Sequence, residues 1–355
     1  GRYMPDVLWW GRFDPDYARN RVVRTLLAGQ GWNIRDFHPR ISALGDVEAG
    51  LRRIARPELV WVPCFRQRDL AAAARWAARQ DIPLVFDPLI SAYDKQVDER
   101  GKLDAGSRKA RRLLARERDL FSRATRVIAD TPAHADYFAE MLGVPRERIA
   151  VVYVGAEEAL FHPQPPAATR AGEIPEILFY GSFIPLQGPQ VIVEAARVYA
   201  GAPVRWTLIG KGPLHDACVA SAAGLDNVHF EDWLPYAELP ERIGQAQVLL
   251  GIVGTTPKAA RVIPNKVFQS LACGRPVVTL RSAAYPQALL DAGGSGLVWV
   301  EAGGAAALAK QVALLAAAPD RIAALGAAAA DTSRRCFSSA AIRQQLSAVL
   351  DDLSS

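Results

Sequence analysis

The residues best suited to chemistry form a basic loop that leads into a predicted helix. Three cations, Lys258, Arg261 and Lys266, surround the start of this helix, which we predict to open at Pro264 and to end at Gly274. Lys266 falls in the first turn, where its charge opposes the helix dipole, and an anion bound there would relieve the conflict. We therefore predict Lys266 and Arg261 as residues that neutralise an anionic ligand. A solvated basic loop is the alternative.

The turn from Tyr180 to Gly188 is a second candidate for anion binding, because it follows a predicted strand and precedes a predicted helix. Its backbone N–H groups and the helix dipole can face an anion. Gly181 allows a diphosphate to approach the main chain closely, and Ser182 and Phe183 follow it directly. A tight strand-to-helix turn without a ligand is the alternative.

The elements that must position these residues follow one rhythm along the chain. Short apolar runs alternate with longer helical stretches, which is the signature of parallel sheets with crossover helices. We therefore predict an α/β fold with two Rossmann-like, doubly wound parallel sheets facing across a cleft, where the loops after the strands bind ligands. The predicted strands are Asp6 to Trp10, Asn33 to Phe37, Leu59 to Cys64, Leu84 to Asp87, Arg126 to Ala129, Ala150 to Val154, Glu176 to Tyr180, Arg205 to Ile209, Val228 to Phe230, Val248 to Ile252, Pro276 to Leu280 and Leu297 to Val300.

The segment His162 to Ile174 is rich in proline and has little apolar periodicity, so we interpret it as the linker between two domains. The N-terminal domain then covers residues 1–163, and the C-terminal domain covers residues 174–338. Residues 339–355 form a predicted helix that packs back on the N-terminal domain. The predicted helices with distinct boundaries are Asp16 to Gly29, Ala133 to Leu142, Gly304 to Leu315 and Ser339 to Leu353.

Composition excludes several classes of protein. The chain has 355 residues and is 50% hydrophobic, which is enough apolar material for more than one core. Its four cysteines lack metal-ligand spacing, and neither a signal peptide nor a run of about 20 apolar residues occurs, so we expect a soluble protein of the reducing cytoplasm. A net charge of +5 suits phosphate-bearing ligands or an anionic membrane surface. We expect no nucleic-acid partner.

The stretch from Ser107 to Arg123 combines many arginines with apolar residues such as Leu113 and Phe121. A basic amphipathic helix of this kind can lie on anionic lipid. We predict peripheral contact with the inner face of a membrane through this helix, with a solvated basic face as the alternative.

Several motifs, in order and at compatible spacing, resemble one known family. The basic loop and its helix, together with Leu208 to Pro213 and Trp233 to Pro240, resemble the C-terminal domain of family 4 glycosyltransferases (glycosyl transferases group 1), which are retaining enzymes of two-domain GT-B architecture. The likeness is good over residues 176–300. It implies a nucleotide diphosphate sugar donor held mainly by the C-terminal half. The donor-binding residues that we predict are Gly11, Arg12, Gly181, Ser182, Phe183, Lys211, Trp233, Leu234, Lys258, Pro264, Asn265 and Gln269.

This sequence departs from the family pattern at its charged positions. The family has an E-x7-E motif whose second glutamate holds the donor ribose; here Gln269 stands at the second position and Arg261 at the first. The phosphate-binding arginine and lysine of the family are replaced by Ser182 and Gln187. We hypothesise that Arg261 and Lys266 supply the lost positive charge to the donor diphosphate.

The N-terminal half offers weaker candidates at the ends of predicted strands. Asp87, at a place where family members often carry a histidine, either orients an acceptor hydroxyl group or caps a turn or helix. Gly11 and Arg12 either approach the donor phosphates or form a structural turn. Asp14 and Asp16 spell the DxD metal motif of the other glycosyltransferase fold, but in a loop entering a helix we interpret them as capping and turn residues.

The resemblance implies transfer of a hexose-type sugar from a UDP or GDP donor to a saccharide or lipid-linked acceptor. Anomeric configuration would be retained, with Lys266, Arg261 and Asp87 as the predicted catalytic residues and with neither a metal ion nor a cofactor. Two alternatives stay open. A nucleotide-sugar epimerase would need acid-base carboxylates near the donor. The missing glutamates also leave open a catalytically silent GT-B protein that serves as a binding or scaffold subunit.

Overall fold

The computed structural model describes residues 3–99, 101–167 and 173–354 of the chain, and these residues form two compact units. The first unit comprises Gly1–Val154 and Ile342–Ser355, and the second comprises Gly155–Ala341. The division falls before the predicted linker, because Phe161 is buried in the second unit and packs edge-on against Tyr236. Residues 168–172 of the predicted linker lie outside the described residues.

The first unit is built on a six-stranded parallel sheet in the order β2-β1-β3-β4-β5-β6. Its inner strands β1, β3, β4 and β5 are mostly apolar and buried, as expected when helices cover both faces of a parallel sheet, whereas the edge strands β2 and β6 are more exposed. The strands are β1 Asp6–Trp10, β2 Asn33–Phe37, β3 Leu59–Val62, β4 Leu84–Phe86, β5 Arg126–Ala129 and β6 Ile149–Val151. The helices are α1 Ala18–Gly29, α2 Gly45–Leu51, α3 Gln67–Gln80, α4 Arg108–Ser122 and α5 Pro132–Glu140, with 3-10 turns at Ser42–Leu44 and Arg146–Arg148 and a π-helical turn at Asp94–Glu99.

The second unit has a six-stranded parallel sheet in the order β12-β11-β10-β7-β8-β9. This is the strand order of dinucleotide-binding Rossmann domains. The strands are β7 Glu176–Tyr180, β8 Arg205–Ile209, β9 Val228–Glu231, β10 Val248–Leu250, β11 Val277–Leu280 and β12 Leu297–Val300. The helices are α6 Pro189–Val198, α7 His215–Ser221, α8 Leu239–Gln245, α9 Asn265–Ala272, α10 Gln287–Asp291, α11 Ala305–Ala316 and α12 Pro319–Cys336, with 3-10 turns at Tyr236–Glu238 and Pro257–Ala260.

The last helix, α13 Ser339–Ser354, runs mainly in the first unit. Gln345 Oε1 accepts a hydrogen bond from the backbone N–H of Tyr153 at 3.0 Å, and Arg126 donates through Nε to Asp352 at 2.9 Å. The Ser347 hydroxyl group also donates to Oε1 of Gln30, the C-cap residue of α1, at 3.1 Å. The C-terminal helix therefore packs on the unit formed by the first part of the chain.

The predicted α/β fold with two doubly wound sheets is confirmed. Several strands end earlier than predicted: β3 stops at Val62 and β10 at Leu250, because the chain turns there into the loops at the carboxyl edge. The helix Pro319–Cys336 was not among the predicted helices, although a proline at its first position is a typical helix start.

In the described part of the chain, no single helix is long and apolar enough to cross a membrane. The bent pair Ala305–Ala316 and Pro319–Ser354, which turns by 103°, is long and apolar enough when its members are counted together. Leu308, Val312 and Leu315 of this pair are buried in the core of the second unit, which is typical of a packed core helix.

Candidate functional site

The strand order of the second sheet reverses between β7 and β10, which are neighbours in the sheet. At such a switch point the connections leave toward opposite faces, and a crevice opens outside the strand ends. The turn after β7 begins with Gly181, and the loop after β10 runs through Gly251 to Gly254. The predicted glycine turn therefore lies where nucleotides bind in such sheets.

The loops after β7 and β10 touch backbone to backbone. Gly188, the N-cap of α6, has a φ of +76°, and a Cβ there would lie 2.6 Å from the backbone nitrogen of Gly254. A Cβ on Gly254 would lie 2.2 Å from the carbonyl oxygen of Pro185. The N–H of Val253 donates to the carbonyl of Gln187 at 3.2 Å. Only glycine permits this approach, so the two loops form one rigid wall.

The loop after β8 holds the same turn from the other side. A Cβ on Gly210 would lie 1.9 Å from the carbonyl oxygen of Gly181, and Phe183 N–H donates to the carbonyl of Lys211 at 2.9 Å. The Phe183 side chain is fully buried in the core of the unit. The prediction that Phe183 binds donor is therefore wrong, since both its side chain and its N–H are used in folding. Lys211 contributes its carbonyl to the turn and exposes its side chain.

Lys266 lies in the first turn of α9 and points to the Gly181 turn. Its side chain is 5% exposed, and Nζ lies 3.8 Å from the ring centroid of Phe179 and 2.8 Å from the position of a Cβ on Gly181. Among the described residues, Nζ has no hydrogen-bond partner. Burial lowers the pKa of Lys266 well below its ordinary value. A buried lysine amine without a hydrogen-bond partner, beside a glycine turn and at a helix N-terminus, is suited to bind an anion.

Gln187 completes the immediate surroundings of Gly181. Its Oε1 lies 3.1 Å from the position of a Cβ on Gly181, and it is buried without a hydrogen-bond partner in the described chain. A side chain at position 181 would therefore displace Lys266 or Gln187, or fill the space beside them. Glycine at position 181 therefore lets the polar ends of Lys266 and Gln187 come close to the backbone of the turn.

The remaining predicted residues of the basic loop are gathered around the start of α9. Lys258 is buried in the 3-10 turn Pro257–Ala260, and Arg261 follows it with partial exposure. Pro264 is the N-cap residue of α9, and Asn265 is exposed as its first residue. The placement at this terminus agrees with the predicted site, and a direct role of Lys258 or Arg261 on the donor stays a prediction.

Gln269 is buried at 6% exposure, and its Oε1 accepts a hydrogen bond from the Tyr180 hydroxyl group at 2.7 Å. Burial raises the pKa of Tyr180 well above its ordinary value, so the hydroxyl group stays a donor. The amide nitrogen of Gln269 and the second lone pair of its Oε1 are left for hydrogen bonds to a ribose, and this contact stays a prediction. The sequence pattern did not single out Tyr180, although its place directly before Gly181 was a signal.

Three other predicted donor residues lie on loops at the carboxyl edge of the second sheet. Trp233 and Leu234 follow the end of β9, with Trp233 46% exposed and Leu234 half-buried. Ser182 is exposed directly after Gly181. Their contacts with a donor stay predictions.

The first unit places Gly11 and Arg12 after β1, at the switch point of its own sheet. Gly11 has a φ of +125°, donates its N–H to the carbonyl of Phe37 at 2.9 Å, and would carry a Cβ 3.0 Å from Asp69 Oδ2. The glycine is thus required by the turn itself. Arg12 is exposed, and its approach to phosphates stays a prediction.

Asp87 is used for folding. It is 2% exposed and accepts hydrogen bonds from Arg19 at 2.8 and 3.1 Å, while Arg19 also donates to the carbonyls of Val152 and Tyr153. Both carboxylate oxygens are engaged by a guanidinium group that is itself 1% exposed. The prediction of Asp87 as an acceptor-orienting or capping residue is therefore corrected to a structural ion pair. Arg19 repeats with Val23 and Leu26 on the buried side of α1, a spacing that could have revealed it.

Asp14 and Asp16 form a turn, as predicted. The N–H of Asp16 donates to Asp14 Oδ1 at 2.9 Å, and Asn20 donates to the carbonyl of Asp14. Within the described residues, no group of three or more His, Cys, Asp or Glu side chains has the arrangement of a metal site.

The basic stretch forms α4, with Ser107 as its N-cap accepting from the N–H of Ala110. Leu120 and Phe121 are buried in the core of the first unit, and Leu114 packs against that core. The apolar side of α4 is therefore unavailable to lipid, which corrects that part of the prediction. Contact of its basic side with a membrane stays a prediction.

Comparisons with known proteins agree with this geometry. The family model described as Glycosyl transferase 4-like domain matches residues 8–155, and the model described as Glycosyl transferases group 1 matches residues 174–318. A D-inositol 3-phosphate glycosyltransferase of Nocardia farcinica is 30% identical over 198 residues, covering 51% of this chain and 43% of that protein. The same enzyme of Acidothermus cellulolyticus is 29% identical, covering 51% and 44%. The chain thus spans less than half the length of these two relatives.

Solved structures share the fold at low identity. Sucrose-phosphate synthase of Thermosynechococcus elongatus has a TM-score of 0.74 at 18% identity, covering 99% of each chain. Anabaena HepE in complex with UDP has a TM-score of 0.72 at 16% identity, covering 98% of this chain and 100% of that one. Taken with the two Rossmann-like units and the two matched domain models, these findings show that the chain belongs to the group 1, family 4-like glycosyltransferases of GT-B fold.

Proposed function

We propose that the chain is a retaining glycosyltransferase that moves a sugar from a UDP or GDP donor to a saccharide or lipid-linked acceptor without a metal ion. The single observation that carries the proposal is the buried Nζ of Lys266, which has no hydrogen-bond partner in the described residues and lies beside Gly181 at the start of α9. A diphosphate is the part of the donor that this arrangement fits.

The same arrangement supports departure of the sugar. Charge develops on the diphosphate as the glycosidic bond breaks, and Lys266 together with the amides of the Gly181 turn would stabilise that charge. Retention follows if the acceptor hydroxyl group attacks on the face that the diphosphate leaves, with a donor phosphate oxygen accepting the hydroxyl proton. Ser182 and Gln187 stand where the family has its phosphate-binding arginine and lysine. In this proposal Lys266 supplies the positive charge that those two residues supply in the family.

The choice of nucleotide is supported by the neighbours in fold. Anabaena HepE was crystallised with UDP and with UDP-glucose. UDP-glucose is therefore the first donor to test, followed by other UDP sugars and by GDP sugars.

The experiment is a thermal-shift panel of nucleotide sugars followed by product analysis by proton NMR. Selective binding stabilises the folded state by mass action, so one donor should raise the unfolding midpoint above the rest. That donor should then be hydrolysed or transferred with retention at the anomeric carbon. A panel without any stabilising donor, or a product of inverted configuration, contradicts the proposal.

A binding protein without turnover is the second candidate, and Arg261 at the position of the first family glutamate favours it. It predicts the same thermal shift but intact donor after long incubation. Interconversion of two nucleotide sugars would instead indicate the epimerase.

We also propose a cytoplasmic location. In the described chain, Cys64, Cys218, Cys273 and Cys336 are free thiols, and all but Cys336 are buried. Free buried thiols support a reducing compartment. Fractionation of cells that produce the protein would test this, and secretion would contradict it.

A further inference from the structure

A short apolar surface of the first unit is turned to solvent. Ile41, Leu44, Val47 and Leu51 are 60%, 52%, 52% and 81% exposed, and they repeat every three or four residues. The 3-10 turn Ser42–Leu44 continues directly into α2, so this spacing brings Leu44, Val47 and Leu51 to one side of the helical segment, and Ile41 directly precedes the segment as the N-cap residue of the turn. We call these four residues the α2 apolar face.

The opposite side of the segment fixes its orientation. Ala49 is 1% exposed, and a Cβ on Gly45 would lie 3.0 Å from the Trp10 ring, so α2 lies directly on the core. Asp46 accepts hydrogen bonds from Arg75 of α3 at 3.0 and 3.1 Å. The α2 apolar face is thus held outward by packing and by an ion pair.

Arginines surround the α2 apolar face. Arg40, Arg52 and Arg53 are exposed at its two ends. Glu48 accepts from the N–H of Arg40 at 3.0 Å and lies 3.6 Å from Arg52, so these two side-chain charges offset each other, and Asp46 is paired with Arg75. The charges of Arg40 and Arg53 are in excess of these pairs. The surroundings of the face are therefore net positive.

We propose that the α2 apolar face docks on an anionic lipid bilayer, with its side chains in the headgroup–acyl boundary and its arginines on the lipid phosphates. An apolar helical side bordered by cations is the pattern of interfacial segments. The segment is short for a protein interface, which buries about 800 Å² per partner, whereas a bilayer accepts a few apolar side chains together with attraction of the arginines. The proposal is independent of the donor site, which lies in the other unit.

Vesicle flotation of the full chain tests this surface. Wild-type protein should float with phosphatidylcholine vesicles that contain phosphatidylglycerol, and it should float poorly with phosphatidylcholine alone or at high salt. The variant Leu44→Ser/Leu51→Ser should lower the partition coefficient about tenfold or more, because two exposed leucines leave the bilayer. Leu314→Ser, which removes an exposed leucine from α11 in the second unit, should float like wild type.

The unfolding midpoint of each variant shows that the fold is kept. Wild-type protein that stays at the bottom of the gradient overturns the proposal, as does equal flotation of the double variant. Loss of flotation on Arg108→Ala/Arg112→Ala, with no effect of Leu44→Ser/Leu51→Ser, would assign the contact to α4 and overturn it too. A wild-type dimer in light scattering that the leucine variant dissociates would show that a second copy covers the face.

Discussion

At the scale of single residues, the buried lysine of α9 is the feature that folding alone does not explain. A buried ammonium group costs free energy unless it is paired, and Lys266 also stands at a helix terminus that repels cations. Its nearest neighbour is the ring of Phe179, a weak partner for a charge. A residue that lowers the stability of the ligand-free protein is expected where the charge of a bound ligand offsets its cost. The carboxyl edge of a nucleotide-binding type of sheet is such a place.

The replacement Lys266→Met separates function from stability. Methionine is unbranched and only one atom shorter than lysine, and it removes the charge, so the unfolding midpoint should stay or rise, by about 2–4 °C for each kcal/mol recovered. Affinity for the stabilising nucleotide sugar should fall about tenfold or more, since a charge-assisted hydrogen bond is lost. Calorimetric titration and thermal denaturation measure the two effects.

Lys310→Met is the matched control, because Lys310 is exposed on α11. Lys310→Met should change neither the unfolding midpoint nor the affinity for the nucleotide sugar. A Lys266→Met protein that is strongly destabilised, or that binds the donor with wild-type affinity, would show that Lys266 is structural.

Binding of the donor should also take up a proton. The pKa of Lys266 is lowered by burial, and a bound diphosphate raises it again. Between these two pKa values the lysine must gain a proton on binding, so affinity falls as pH rises through that window. Titrations in buffers with different enthalpies of ionisation measure the uptake, which Lys266→Met should abolish. Equal affinity across the alkaline range would contradict this linkage.

The Arg19–Asp87 pair should behave as a structural unit. Because both partners are at most 2% exposed, Asp87→Ala leaves a buried guanidinium group unpaired and should cost about 3–5 kcal/mol. Arg19→Met/Asp87→Ala should cost less than the sum of Arg19→Met and Asp87→Ala, as measured by urea denaturation in a double-mutant cycle. Full stability of Asp87→Ala with loss of transfer would restore the acceptor role.

Residue types alone do not distinguish a residue that is poised to bind a ligand, such as Lys266, from one that forms a structural ion pair, such as Asp87. The position of Lys266 in a first helical turn was enough to predict an anion site, because the helix dipole acts locally. Asp87 looked equally functional from its strand end. Its partner Arg19 is distant in sequence and joins it only through the tertiary fold.

At the scale of elements, the loops after β7 and β10 form the wall of the candidate site. Gly254→Ala should be destabilising by about 1–3 kcal/mol and should weaken donor binding, because the new Cβ meets the carbonyl oxygen of Pro185 at 2.2 Å. Gly293→Ala is the control, since no described heavy atom apart from its chain neighbours lies within 4 Å of its Cβ position. Thermal denaturation and donor titration compare them, and equal behaviour would show that the loop contact is not needed.

Periodicity predicted most elements because apolar runs in parallel sheets are continuous and buried. It could not predict which side of α4 faces the core, since Leu120 and Phe121 look alike whether they meet a sheet or a lipid. Periodicity also did not predict the α2 apolar face. Leu44 and Leu51 are exposed because the other side of α2 packs on Trp10, and that packing depends on the tertiary fold.

At the scale of the whole molecule, each unit has a parallel sheet with its own switch point. The division after Val154 differs from the proline-based boundary because packing of Phe161, and not composition, decides which unit a segment joins. Gly181, Gln187 and Lys266 all belong to the second unit, so the part of the proposed donor site that they form lies within that unit.

A crystal structure of the chain with the nucleotide sugar that stabilises it best tests the central claim most directly. The account predicts a diphosphate oxygen about 3 Å from Lys266 Nζ, with the backbone of the Gly181 turn against the same group. A diphosphate bound elsewhere, with Lys266 Nζ still packed on Phe179 and away from the ligand, would contradict it.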